Sequence, residues 1–337
     1  MRQRLLGCCA IVCLLVSILA CGNNASPTTE SGEESGASES VESSPYSYET
    51  VEFGGREAIS VRIPGDPDYL AADDKQVYVR GVHGFNALDP ETAEVLSSFE
   101  IEQQGCGGVG AAAGTVWTCS GSDVVRVDAG SDAVQARFPV TKAVVQGHLV
   151  IGFGQVWVLL GDGSSLLGID TDSNEPGEPI VLPVRGTDLA ISTDRIWVVS
   201  ALDNVALEID PASGAVVRRI DGLSGARAAV AVPGALWVGG STASYRIDTA
   251  TGAVTTTVEG GVGYVGAITA DGASVWVRRG GIDLQHLDAE SGVLLEQISE
   301  PPISTNEHGG GGDALVAFGA LWVTFFDDAT LIRIPLD

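Results

Sequence analysis

The chain has 337 residues, 45% of them hydrophobic, which is enough to bury a large core. Its 18 Lys plus Arg stand against 44 Asp plus Glu, a formal net charge of −26. That balance excludes a nucleic-acid-binding protein, which needs a basic footprint, and charge-driven docking on anionic lipid.

In chain order, residues 1–20 read as an export signal: Arg2 and Arg4 precede an apolar run from Leu5 to Ala20. The run is short for a transmembrane anchor. Ile18-Leu19-Ala20-Cys21 resembles the lipobox of bacterial lipoproteins. That resemblance implies that Cys21 is lipidated, becomes the mature N-terminus and anchors an extracytoplasmic protein to a bacterial membrane. Residues 21–51 read as a disordered acidic tether of Ser, Gly and Glu; between positions 22 and 48 there are five Glu and no Lys or Arg, and nothing that can make a core.

From residue 52 to residue 337 the chain repeats. Every Trp lies in one local pattern: Trp117, Trp157, Trp197, Trp237, Trp276 and Trp322, each flanked by branched residues, with Tyr78 as an earlier copy. The steps between these aromatics are 39, 40, 40, 40, 39 and 46 residues. A period near 40 is the length of a four-stranded propeller blade, so seven aromatics count seven blades. Within each unit a small or apolar stretch leads through a Gly or Asp turn into the aromatic strand. A third strand then ends in Asp (Asp89, Asp128, Asp170, Asp210, Asp248, Asp288), which heads the turn to a fourth. Apolar residues alternate in short runs and no 3.6-residue stripe is sustained, so helices fit poorly. The aromatics read as packing between blades. The last unit is one strand short, and Ala58–Ile63, upstream of the first, has the length and alternation to supply it. The expected fold is therefore all-β: a seven-bladed β-propeller of four-stranded blades, closed by pairing residues 58–63 with the last blade.

Of the six cysteines, Cys8, Cys9 and Cys13 lie in the export segment and Cys21 takes the lipid. Cys106 and Cys119 fall on neighbouring strands of one blade, within reach of an intrablade disulfide in an oxidising compartment. The alternative is two buried thiols.

Reactive motifs are scarce. The four histidines, His83, His148, His286 and His308, form no His-x-His or His-Glu-x-x-His pattern, and no GxSxG elbow occurs. Asp170-Thr171-Asp172-Ser173-Asn174 has calcium-loop spacing but lacks the Gly at position six and the Glu at position twelve; its register is that of the ordinary Asp-headed turn. No cofactor and no metal ligand is expected. The 46-residue step inserts Pro301–Asp313 into a loop that runs from an outer strand to the next inner one. Loops in that position contribute Asp66, Asp68, Gln103, Gln104, Lys142, Arg185, Asp188, Arg227 and Tyr264, and the insertion adds Asn306, Glu307 and His308. Together they form a candidate polar face for ligands. Glu307 and His308 are the pair that general acid–base chemistry would use.

The repeats resemble the YVTN/NHL-like and virginiamycin-B-lyase-like propellers of bacteria, especially proteins with "VWV … IDPxTG" repeats, here Leu236-Trp237-Val238 and Ile209-Asp210-Pro211-Ala212-Ser213-Gly214. The resemblance covers the domain from about Glu52 onward. It implies a seven-bladed ring and, in most members, binding rather than catalysis. The expected function is an envelope-tethered, monomeric binding or scaffold module for a protein, peptide or envelope ligand. The alternative is a lyase or hydrolase acting through Glu307 and His308, with or without a metal.

Overall fold

Runs of alternating apolar residues separated by Gly- and Asp-rich turns fold as short antiparallel strands, and here these assemble radially. A computed structural model describes residues 44–101, 104–140, 148–263, 266–279, 283–299 and 311–336, with the backbone alone at 104–107. They form seven antiparallel sheets. The inner strands are Tyr69–Ala72, Gln104–Ala112, Val150–Gly152, Asp188–Ile191, Ala228–Val232, Ala267–Ala270 and Ala314–Ala317, in blades 1 to 7. Consecutive antiparallel strands put the outer-to-inner loops and the second-to-third turns at one end of the ring, called here the loop face. The Asp-headed turns lie at the other end.

Blade 7 contains the ring closure. Its own three strands end with Thr330–Pro335, and Arg56–Arg62 pairs onto that strand with Ile59 opposite Arg333 and Val61 opposite Leu331. One expectation is corrected. Residues 47–51, read as the end of the tether, join residues 52 and 53 in a further strand, Ser47–Phe53, that pairs along its whole length with Arg56–Arg62 and makes blade 7 five-stranded. As the outermost strand its residues are mostly exposed on both sides, so its composition looks like a linker.

Each of seven hydrophobic clusters holds the aromatic of one blade against the branched residues of the next. Trp197 packs on Leu236, Val238 and Ile247; Trp322 on Val77, Val79 and Leu88; Tyr78 on Val116, Val125 and Val127. All six Trp are at most 3% exposed. The core is thus seven interfaces between sheets rather than one central mass, as a propeller requires.

A second device crosses the same interfaces. Arg126, Arg246 and Arg333 stand opposite Trp117, Trp237 and Trp322 on the third strand. The Arg126 and Arg333 guanidiniums lie 5.4 and 5.7 Å from the indole centroids. All three donate to the carbonyl that follows the turn Asp of the next blade: Thr171 at 2.7 Å, Ala289 at 3.1 Å and Pro90 at 2.8 Å. In blade 4 the outer-strand Arg218 reaches Thr249 in the same way. The turns themselves are closed by their Asp. Asp210 Oδ1 accepts from the Ser213 amide at 2.8 Å and hydroxyl at 2.7 Å, and Asp170 accepts from Ser173 with the same geometry. These bonds hold the six turn carboxyls below the usual range. The fifth residue of each turn is left-handed: Gly214, Gly252 and Gly292 in three blades, and Ala93, Asp132 and Asn174 in the others.

Candidate functional site

The pairing register defines one ring of positions at the loop-face end of the channel. The inner-strand residues opposite the aromatics are Ala71, Gly110, Val150, Ala190, Val230, Thr269 and Leu315. Two residues earlier stand Tyr69, Gly108, His148, Asp188, Ala228, Ala267 and Asp313. Because Gly108 has no side chain, the rings of Tyr69 and His148 meet across blade 2, edge to face with centroids 5.5 Å apart.

His148 is held at both ring nitrogens. Nδ1 lies 2.8 Å from Asp188 Oδ1, in the neighbouring blade 4, and Nε2 lies 3.1 Å from Asp313 Oδ2, in blade 7. The carboxylates also satisfy backbone donors: Asp188 accepts the amides of His148 and Ala229 at 3.3 and 3.1 Å, and Asp313 those of Leu70 and Ala314 at 2.9 and 2.8 Å. Their side chains are 5% and 6% exposed, while the imidazole keeps 29% of its surface open to the channel. Burial opposes protonation of this ring, but the two carboxylates outweigh it and raise the His148 pKa well above its ordinary value.

A second layer surrounds this one, two residues beyond the aromatic, where most blades carry apolar residues or Gly. Here stand Arg80, Thr324 and Arg278, from the adjoining blades 1, 7 and 6, all at most 2% exposed. Arg80 donates to the Thr118 hydroxyl at 3.0 Å and to the Gly84 carbonyl at 3.3 Å; Arg278 donates to the Gly312 carbonyl at 3.1 Å and lies over the Phe325 ring. Thr324 donates to the Asp68 carbonyl and accepts the Asp313 amide at 2.7 Å. Burial lowers both arginines to about 10. Burial, reinforced by Asp313, raises Asp68 to about 6 against the opposing pull of Arg278, His148 and Arg80.

Below this polar end the channel is a cavity of about 320 Å³, walled by inner-strand residues such as Ala71, Gly110, Ile151, Ile191, Val230 and Leu315. Chemically the cluster is a chain of charge-assisted hydrogen bonds rather than an open set of ligands. Among the described residues no group of three His, Cys, Asp or Glu is placed to hold a metal ion. His286 lies elsewhere, stacked on Trp276 at 4.2 Å and bonded to the Ser274 hydroxyl at 2.7 Å.

Of the residues singled out in the sequence, Asp68 and Asp188 enter this cluster. Arg185 does not: it is 60% exposed and pairs with Asp162 at 3.0 Å. Asp66 sits half-buried in the loop before blade 1, and Arg227, also half-buried, donates its amide to the Gly239 carbonyl. Tyr264, Asn306, Glu307, His308, Gln103, Lys142 and Cys21 lie outside the described residues, as do the side chains of Gln104 and Cys106. Gln104 faces Ser120 and Val109 faces Thr118, with a bulge between, so Cys106 lies on the strand beside that of the buried Cys119. Sequence reasoning missed His148, Asp313, Arg80, Arg278 and Thr324. Aligning the units on their aromatics would have shown them as polar residues at positions where the other units mostly carry Gly, Ala or another apolar residue.

In fold, the chain is similar to streptogramin B lyase. The TM-score with that structure is 0.65 at 13% identity, over 87% of this chain and 98% of the lyase. Hydrazine synthase of Kuenenia stuttgartiensis aligns with a TM-score of 0.63 at 15% identity, over 81% of this chain and 96% of that one. No protein-family model and no curated protein matches the chain. Identities this low carry the seven-bladed ring and nothing of the chemistry.

Proposed function

We propose that this propeller is a non-catalytic binding or scaffold module of the bacterial cell envelope. It is anchored through lipid on Cys21 and recognises a protein, peptide or envelope ligand on its loop face. The observation that carries this reading is the saturation of the channel-end cluster. Both ring nitrogens of His148 are occupied by carboxylates, and those carboxylates take backbone amides as well. A general base needs a lone pair within reach of a substrate proton, whereas these groups are used in holding blades together. The loop face then offers a rigid ring carrying loops of differing length and chemistry, the arrangement suited to recognition by shape and several polar contacts. A net charge of −26 favours a basic partner, with salt screening much of the attraction. An intrablade Cys106–Cys119 disulfide belongs to the same reading, because export puts both strands in an oxidising compartment.

The test is crosslinking capture from native membranes. The lipidated wild type is compared with a variant carrying Ala at Asp66, Arg185, Arg227, Asn306, Glu307 and His308, with its fold checked by circular dichroism. A partner recovered with the wild type and lost from the variant supports the reading. The same set of partners with both proteins overturns it. The lyase or hydrolase alternative makes a different prediction: turnover of a streptogramin B that disappears on changing Glu307 or His308 alone, with the fold intact.

A further inference from the structure

Blades 3 and 7 are not neighbours in the ring, yet a side-chain bond joins them: His148 Nε2 to Asp313 Oδ2 at 3.1 Å. The opposite edge of the same imidazole is bonded to blade 4 through Asp188 at 2.8 Å. A neutral imidazole has one N–H and one lone pair, so it can satisfy only one of two flanking carboxylates as a donor; the other contact would set lone pair against anion. Only the doubly protonated ring donates on both sides, and two charge-assisted bonds hold it there.

We propose that His148 is a resident imidazolium clasp that bridges the mouth of the channel from blade 3 to blades 4 and 7, and that removal of one ring proton unlatches blade 7 from blade 3. The clasp lies in the wall of the channel cavity, at its loop-face end. It also fixes the carboxylates that receive the amides of Leu70 and Ala229, so its influence extends into blades 1 and 5. The charged and titratable groups that face the ring are Asp188, Asp313 and Asp68, with Arg278 and Arg80 behind them and Tyr69 against its edge. Two carboxylates in direct contact set the balance in favour of the cation. His148 binds its proton more tightly folded than unfolded. Its stabilisation is therefore complete below the ordinary histidine range and is lost as pH rises through the folded-state value, above that range.

The deciding measurement is the ¹⁵N spectrum of the His148 ring in the intact protein. Expected are two protonated nitrogens at neutral pH and a midpoint well above that of free imidazole. A ring that is neutral at neutral pH overturns the proposal. Amide exchange reads the mechanical part. In H148Q the amides of Leu70 and Ala229 should exchange about tenfold faster, the equivalent of one weakened bond to a charged acceptor, with amides buried between blades unchanged. Added imidazole should restore protection in H148G. Unchanged exchange in a folded H148Q sinks the clasp, and should H148Q fail to fold, the wild-type titration alone still decides.

Discussion

At the scale of single residues, the charged groups at the channel end are set against one another, and Asp68 is the exception that reports on the rest. Its carboxyl is raised to about 6 by burial and by Asp313, although Arg278, His148 and Arg80 pull the other way. An acid whose folded pKa is raised contributes stability below its unfolded value and loses it as pH rises through the folded one. Asp68→Asn should therefore gain on the wild type between about pH 4 and 6, by roughly 1–3 kcal/mol, and hold that gain above. Chemical denaturation of both proteins across that range checks it; parallel pH profiles would show that Asp68 ionises freely. The histidine clasp has the same sign in a higher window, losing stability only as pH rises above the ordinary histidine range. These residues were hard to find in the sequence for a geometric reason. His148, Asp188 and Asp313 are separated by 40 and 125 positions and meet only because the strands converge on one axis. The 46-residue step also pushes Asp313 out of a simple 40-residue count. Asp68 and Asp188 were legible one at a time, as polar residues of loops that lead into inner strands; their meeting with His148 and Asp313 was not.

At the scale of strands and turns, the sequence was close to transparent wherever the repeat applies. Seven aromatics mark seven second strands, the Asp-Gly turns mark the third-to-fourth connections, and the missing strand is supplied by Arg56–Arg62. What stayed hidden was the outermost strand, Ser47–Phe53, because a strand exposed on both faces has no alternation to read. Also hidden was the arginine that stacks on an indole and caps the turn of the following blade. It is visible only once the residue opposite each Trp is known. Two outcomes follow from these elements. Trp197→Ala should cost about 3–5 kcal/mol, since it leaves a cavity between blades 4 and 5 that the rigid sheets cannot collapse to fill. Arg246→Met should cost about 1–3 kcal/mol, because the Ala289 carbonyl loses a charged donor and keeps the Trp237 indole at 3.0 Å. Urea unfolding midpoints measure both; an Arg246→Met protein as stable as wild type would show that the indole bond alone suffices.

At the scale of the molecule, seven similar interfaces share the load, so no blade has a core of its own. Removing residues 44–62 should leave Thr330–Pro335 without its outer partner and open the ring at the seam between blades 7 and 1, seen as a broadened, earlier thermal transition. A truncated protein that melts like the intact one would mean that the seam is held from elsewhere. The additional strand outside the closure has a mechanical meaning. A pull on the chain ahead of Ser47 meets the Tyr46 hydroxyl, bonded to Asn86 and Ser98 in blade 1, and then Ser47–Phe53, which among the described residues pairs with Arg56–Arg62 alone. Were that edge strand to peel away, the chain ahead of the ring would lengthen while the ring stayed shut, as with a fuse: the pull would be spent on the outer strand before it reached the one that keeps the circle whole.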